Sequence, residues 1–123
     1  MYLGIDFGKA RIGLAISETG QLARPLGVIK NKGDARNLAA IKEISTKHNI
    51  KYIVCGLPLH ADGKETDICK EIRRFGDKLG AVYHNERYSS LEAQEYIRER
   101  KLKELVDAVA ATMILQSYLE EIK

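Results

Sequence analysis

Alternating apolar and small or polar residues divide the first 30 residues into three short segments. Residues 2–8 are mostly apolar, and residues 11–18 alternate isoleucine or leucine with smaller side chains. A two-residue period is typical of half-buried β-strands. Residues 23–30 can form a third strand, and only short turns separate the three segments. Consecutive strands joined by tight turns predict an antiparallel meander.

The pattern changes after residue 33, where helical and strand-like segments begin to alternate. Apolar residues recur at helical spacing from Asp34, the expected N-cap, to about His48. The short apolar run Tyr52–Cys55 follows and ends at the Gly-Leu-Pro of residues 56–58. An apolar run between two helical patterns predicts a buried parallel strand.

The second half of the chain repeats this alternation. A helix with apolar residues at positions 68, 72, 75 and 79 stops at Gly80, and residues 81–84 form a fifth strand. Ser89 begins a capping box for a third helix, and a last helix runs from about residue 103 to 120. The order β-β-β-α-β-α-β-α-α predicts one α/β domain over residues 1–123, a mixed five-stranded sheet with helices on both faces.

Three carboxylates occupy unusual positions in this pattern. Asp6 interrupts the first apolar strand, Glu86 ends the fifth strand, and Asp107 lies in the most apolar helix. Burying an unpaired charge is costly, so such residues suggest a site that uses the charge. Reactive groups in α/β sheets collect at the carboxyl ends of the parallel strands. We therefore expect the three acids to converge.

Each acid also has a purely structural interpretation. Asp6 could form a salt bridge with Lys9 or Arg11, and Glu86 could be a surface charge beside Arg87. Asp107 could be an acid in the first turn of a helix, where the helix dipole favours negative charge. All three structural interpretations holding together is less probable than any one alone.

Converged carboxylates would repel one another and raise each other's pKa values, a conflict that a hard divalent cation removes. Oxygen donors without a histidine and cysteine cluster favour Mg²⁺ or Mn²⁺ over zinc. Such ions typically act on phosphates, where they activate water and stabilise the leaving oxygen.

Positive charge is concentrated in the first half of the chain, although the total is only +3. Residues 1–60 hold 9 basic and 4 acidic residues, a net charge of +5, and residues 61–123 hold 11 and 13, a net charge of −2. Two groups stand out: Lys9, Arg11, Arg24, Lys30, Lys32 and Arg36, and then Arg98, Arg100, Lys101 and Lys103. Taken singly, each group fits a solvated face; beside a chemical site, it suggests nucleic acid.

The remaining features exclude several classes of protein. Cys55 and Cys69 show no metal-type spacing, so we expect buried, reduced thiols. The most apolar segment, residues 106–115, is too short to span a membrane and contains an aspartate. We see no signal peptide, and we expect a cytoplasmic protein without a membrane partner.

Several segments in order resemble one known family. They are GIDFGKARIGLAIS at 4–17, Arg-Pro-Leu at 24–26, GLPLHADG at 56–63, NERYSS at 85–90 and VDAVAATMILQSYL at 106–119. Together they resemble the YqgF/RuvX family of Holliday-junction resolvases, also described as pre-16S ribosomal RNA nucleases, within the ribonuclease H-like superfamily. The resemblance covers nearly the whole chain and implies a ribonuclease H-like sheet.

The resemblance implies that Asp6, Glu86 and Asp107 are the catalytic, metal-binding acids. The chain departs from the family at Asn85, where an aspartate is usual, which weakens any metal role for that position. Related resolvases can carry a further acid one turn after the last-helix aspartate, where this chain has alanine. Asp62 is a candidate for a fourth ligand.

These observations predict an Mg²⁺- or Mn²⁺-dependent endonuclease acting on structured RNA or a DNA junction, with a ribosome precursor as one candidate partner. Phosphate contacts are expected from Lys9, Arg11, Arg87, Ser89, Arg98, Arg100, Lys101 and Lys103. The main alternative is a non-catalytic nucleic-acid or ribosome-associated binding module on the same fold. An ATP-binding protein of the actin-like type is disfavoured because it needs a second domain. Monomer and homodimer both stay open.

Overall fold

The computed structural model describes residues 1–58, 67–86 and 106–122, without the side chains of Glu86 and Val106. These residues form β1 (Tyr2–Phe7), β2 (Arg11–Ser17), β3 (Arg24–Lys30), α1 (Asp34–Lys47), β4 (Tyr52–Pro58), α2 (Asp67–Asp77), β5 (Val82–Glu86) and α3 (Val106–Glu121). The helix predicted after Ser89 and the predicted start of the last helix lie outside the described residues.

The five strands form one mixed sheet in the order β3-β2-β1-β4-β5. β1, β2 and β3 pair antiparallel, whereas β1, β4 and β5 are parallel to one another. The sequence-based prediction of a meander followed by crossovers is confirmed. The carboxyl ends of β1, β4 and β5 consequently lie at the same end of the sheet.

The two faces of the sheet carry separate apolar cores. On one face, Leu3, Ile5 and Ile12 are buried against Ile41 of α1 and Phe75 of α2. On the other face, α3 packs against Ala15 of β2 and Val54 of β4 through four buried residues: Ala111, Ile114, Leu115 and Leu119. Helices therefore cover both faces, as predicted.

Two glycines let α3 approach the second face closely. A Cβ at Gly4 would lie 2.7 Å from the Cβ of Leu115, and a Cβ at Gly13 would lie 2.9 Å from the Cβ of Asp107. Real Cβ atoms do not pack at such distances, so the helix axis can be this near only because both positions lack a side chain.

The boundaries of several elements differ from the sequence-based predictions, among them α1, β4 and β5. Gly33, with φ of 98°, occupies the N-cap of α1, so the prediction of Asp34 as N-cap was wrong by one residue. Asp34 instead lies in the first turn and pairs with Arg74 at 3.5 Å. β4 continues to Pro58 because residues 57 and 58 pair with residues 85 and 86 of β5.

Both thiols are buried, as predicted from their positions in a strand and a helix. Cys55 and Cys69 form no disulfide within the described residues, and both are fully buried. Burial raises the pKa of the Cys55 thiol to about 12, and the Cys69 Sγ donates a hydrogen bond to the Pro58 carbonyl at 3.1 Å. Among the helices that the structure describes, none has the length and apolar character needed to cross a membrane.

Candidate active site

Asp6 lies next to the carboxyl end of β1, directly opposite Gly13 of β2. Side chains alternate between the two faces of a strand, so Asp6 shares the α3 face with Gly4, while Leu3 and Ile5 enter the other core. The carboxylate is half-buried at the end of the sheet where the parallel strands terminate.

Asp107 lies in the first turn of α3. The helix begins directly over Gly13, since a side chain at that position would overlap the backbone carbonyl of Asp107. Gly13 is also the cross-strand partner of Asp6. The fold thus brings the first and last of the three predicted acids together, across about a hundred residues of chain.

The electrostatics of Asp6 follow from this proximity. Burial and, second to it, the negative charge of Asp107 together raise the pKa of its carboxyl from 3.8 to about 6. A carboxylate whose ionised form is disfavoured in this way gains from any cation placed beside it.

Arg11 compensates part of the charge. Its Nε lies 3.0 Å from the Asp107 Oδ2, and the Asp107 side chain is 24% exposed. The alternative in which Arg11 pairs with Asp6 is therefore wrong, because the start of α3 offers it a different carboxylate. Among the described residues, Asp6 has no ion pair, and Lys9 is exposed in the turn between β1 and β2.

The third acid lies at the same end of the sheet, where the parallel strands terminate. β5 ends at Glu86, whose backbone pairs with Pro58 at the carboxyl end of β4. Within the described residues, no group of three histidine, cysteine or acidic residues forms a metal site. Asp62, the candidate fourth ligand, lies outside the described residues. So do the remaining predicted phosphate contacts: Arg87, Ser89, Arg98, Arg100, Lys101 and Lys103.

The β1–β2 turn is held by a side-chain network that the sequence analysis missed. The Asn31 Nδ2 donates to the Gly8 carbonyl at 2.8 Å, and the Asn31 backbone N–H donates to the Ala10 carbonyl at 3.0 Å. The buried Asn37 donates in turn to the Asn31 Oδ1 at 2.8 Å. One signal was available, because Asn37 stands one turn before Ile41 on the apolar face of α1.

Comparison with known proteins identifies the family. The model of the family described as "RuvX: Holliday junction resolvase" matches residues 1–121. The chain belongs to the RuvX family. A Nitrosospira multiformis protein named "Putative pre-16S rRNA nuclease" is 38% identical, over 97% of this chain and 87% of its own length. A Burkholderia ambifaria protein of the same name is 36% identical, over 98% and 89%.

Solved structures establish the fold of this RuvX-family chain. Fowlpox virus resolvase, solved with Holliday junction DNA, has a TM-score of 0.59 at 15% identity, covering 98% of this chain and 97% of that one. Thermus thermophilus RuvC in complex with a Holliday junction has a TM-score of 0.56 at 14% identity, covering 98% and 94%. The predicted ribonuclease H-like fold is confirmed.

Proposed function

We propose that this RuvX-family protein is a metal-dependent endonuclease that hydrolyses phosphodiester bonds in structured nucleic acid. The observation that carries the proposal is the proximity of Asp6 to Asp107, at the end of the sheet where β5 terminates in Glu86. The family description and the names of the relatives support a nuclease. They also supply two candidate substrates, precursor 16S ribosomal RNA and a four-way DNA junction.

The donor set suits a hard divalent cation. Asp6 and Asp107 present carboxylate oxygens in one place. The pKa of Asp6 is raised first by burial and then by the negative charge of Asp107, which Arg11 alone does not offset. Together with Glu86 they would hold Mg²⁺ or Mn²⁺. When bound, such an ion activates water and stabilises the leaving oxygen of a phosphodiester.

The chain's own residues would position the nucleic acid. Arg11 lies against Asp107 with a side chain that is 56% exposed, so its guanidinium can also reach a phosphate. Lys9 is exposed in a turn fixed by Asn31. Further phosphate contacts are proposed for Arg87, Ser89, Arg98, Arg100, Lys101 and Lys103. Because the acids sit on a strand and a packed helix, the catalytic geometry is preorganised.

A cleavage assay with Mg²⁺ or Mn²⁺ tests the proposed chemistry. We expect Asp6→Asn, Glu86→Gln and Asp107→Asn each to lower the cleavage rate on the order of 100-fold or more, because each removes charge that acts on the transition state. Glu43→Gln, an exposed acid on α1, is the matched control and should cleave normally. Undiminished cleavage by Asp6→Asn would rule out the assigned mechanism. Metal-independent binding without cleavage by the unaltered chain would favour a binding module.

Cleavage rates on the DNA junction and on the precursor RNA, measured side by side, identify the substrate. A four-way junction has two-fold symmetry, so its resolution favours a dimer that presents two sites. Solution mass with and without junction DNA should therefore be measured beside the cleavage rates. A monomer that cuts only precursor RNA would exclude the junction as substrate.

A further inference from the structure

We propose that Lys30, Lys32 and Arg36 form a second phosphate-binding surface, here called the β3-edge patch, which holds the substrate backbone to one side of the acids. The inference rests on the proposed nuclease function and goes beyond its catalytic site. It assigns to the patch the sugar–phosphate backbone of the strand that enters the cleavage site.

The position of Lys30 connects the patch to the acids. Lys30 ends β3 directly opposite Arg11 in the β2–β3 register. Residues opposite each other in an antiparallel pair project from the same face, and Arg11 contacts Asp107. Positive charge therefore continues outward from the acidic site onto the edge strand.

The distance corresponds to a few nucleotides. β3 lies two strands away from β1, which carries Asp6, and neighbouring strands are about 4.8 Å apart. Lys30 also lies two residues, about 7 Å, beyond the position aligned with Asp6, so the patch begins about 12 Å from Asp6. Because each strand of a duplex carries one phosphate per about 3.4 Å of helix axis, this spacing spans about three to four nucleotides.

A concave pocket lies on the α1 side of the edge strand β3, so the patch runs from Lys30, on the same face as the acids, around that edge to Arg36 of α1. It has a volume of about 260 Å³ and is lined by Ile29, Lys30, Lys32, Arg36, Asn37 and Ala40. A water molecule occupies about 30 Å³ of liquid, so the space admits a phosphate group together with several waters. Ile29 and Ala40 form the apolar part of the wall, and the three cationic residues supply the charge.

The positive charges are not neutralised within the described part of the chain. Lys30, Lys32 and Arg36 are exposed, and no ion pair joins them to an acid there. Asp34, the acid nearest to them in sequence, is paired with Arg74 of α2. The patch can therefore bind a phosphate without first breaking a salt bridge.

The backbone beneath the patch is held in place. The Lys32 N–H donates to the Asn37 Oδ1 at 3.0 Å, and the Gly33 N–H donates to the Asn31 Oδ1 at 3.2 Å. Asn31 also holds the turn that carries Lys9. Both basic segments are thus fixed by one network, which lowers the ordering cost of binding a continuous strand.

The test compares two triple variants that remove equal charge. Lys30→Gln/Lys32→Gln/Arg36→Gln removes the patch. Lys47→Gln/Lys51→Gln/Lys78→Gln removes three exposed lysines that end α1, precede β4 or follow α2, where the parallel strands begin and far from their carboxyl ends. Both are made in the Asp6→Asn background to prevent cleavage. Binding is measured by fluorescence anisotropy over a salt series, with a labelled four-way DNA junction and a labelled RNA hairpin that carries a single-stranded leader.

Each lost phosphate contact lowers the slope of log affinity against log salt by about 0.7 to 0.9. For the patch variant, we expect the magnitude of this slope to be smaller by about 2 to 3 and the affinity to be at least about tenfold lower. The control should keep the parent's slope. Lys32→Gln alone should lose a slope of about one contact. Shortening the probe on the patch side should weaken the parent but not the patch variant.

The outcomes separate the two proposals. Equal slopes for both triple variants would overturn the patch while leaving the nuclease function intact. Failure of the Asp6→Asn parent to bind either probe would overturn both. With Asp6 restored, the patch variant should cleave at the unaltered kcat with a raised KM. A lowered kcat at unchanged KM would overturn the holding role and place the three residues in the cleavage step.

Discussion

At the scale of single residues, the carboxyl group of Asp6 makes the stability of the fold depend on pH. Its carboxyl is half-buried beside a second carboxylate, so its pKa is raised to about 6. The folded chain then holds this proton more tightly than the unfolded chain, whose value is near 3.8. Stability must therefore fall as the pH rises from about 4 to 6, and it stays lower above that range.

Replacing Asp6 by asparagine should reverse this penalty. In metal-free buffer at pH 8 we expect Asp6→Asn to raise the free energy of unfolding by about 1 to 2 kcal/mol, which is less than the full shift in pKa implies because partial exposure weakens it. At pH 3.5 the difference should vanish. Urea unfolding in EDTA at both pH values measures it, with Glu43→Gln as the control. A destabilised Asp6→Asn at pH 8 would contradict the proposed electrostatics.

Sequence reasoning brought Asp6 and Asp107 together, but the one carboxylate it offered Arg11 as an alternative partner was Asp6, not Asp107. An aspartate inside an apolar strand and another inside an apolar helix are visible as exceptions to a pattern. The choice of Arg11 between two carboxylates depends on where α3 lands on the sheet. That landing point is set by contacts between residues far apart in the chain, and no local pattern reports it.

At the scale of elements, the approach of α3 to the sheet depends on missing side chains. Gly13 faces the backbone of Asp107 at the start of the helix, and Gly4 faces Leu115 two turns later. On the helix side, the backbone carbonyl of the small buried residue Ala111 also faces Gly4. The close approach of α3 therefore depends on both glycines, and the position of Asp107 depends most directly on Gly13.

A methyl group at Gly13 should lift the start of α3. We expect Gly13→Ala to lower the free energy of unfolding by about 3 kcal/mol, the upper end of ordinary overpacking, because the obstructing atoms are backbone. Cleavage per folded molecule should fall as well, since Asp107 moves. Gly4→Ala is the comparison: it should also destabilise, yet retain more activity, because its clash lies two turns from Asp107. Thermal unfolding and cleavage rates together check both, and a fully stable, active Gly13→Ala would refute the packing argument.

At the scale of the whole molecule, the site is assembled from the first strand and the last described helix. The topology was predictable, because a meander followed by helical crossovers leaves few arrangements of one sheet. The lengths of β4 and β5 were not, since strands end where pairing ends. The N-cap at Gly33 was also missed, because backbone conformation outweighed the preference for aspartate.

Because the candidate site joins β1 to α3, cation binding there should stabilise the whole fold. At a concentration about 100 times the dissociation constant, Mg²⁺ or Mn²⁺ should add about 2.7 kcal/mol to the free energy of unfolding. Asp6→Asn and Asp107→Asn should lose most of this gain, whereas Glu43→Gln keeps it. Thermal unfolding with and without the cation makes the comparison. Equal gains in Asp107→Asn and the unaltered chain would show that the ion acts elsewhere.

The buried thiols have a practical consequence for such experiments. Maleimide reagents need an accessible thiolate, and Cys55 and Cys69 are fully buried, with the pKa of Cys55 raised to about 12. A single cysteine introduced at the exposed position of Lys32 would therefore react alone at neutral pH, without removal of the native thiols. A fluorophore attached there would report the arrival of a nucleic-acid strand at the β3-edge patch in real time.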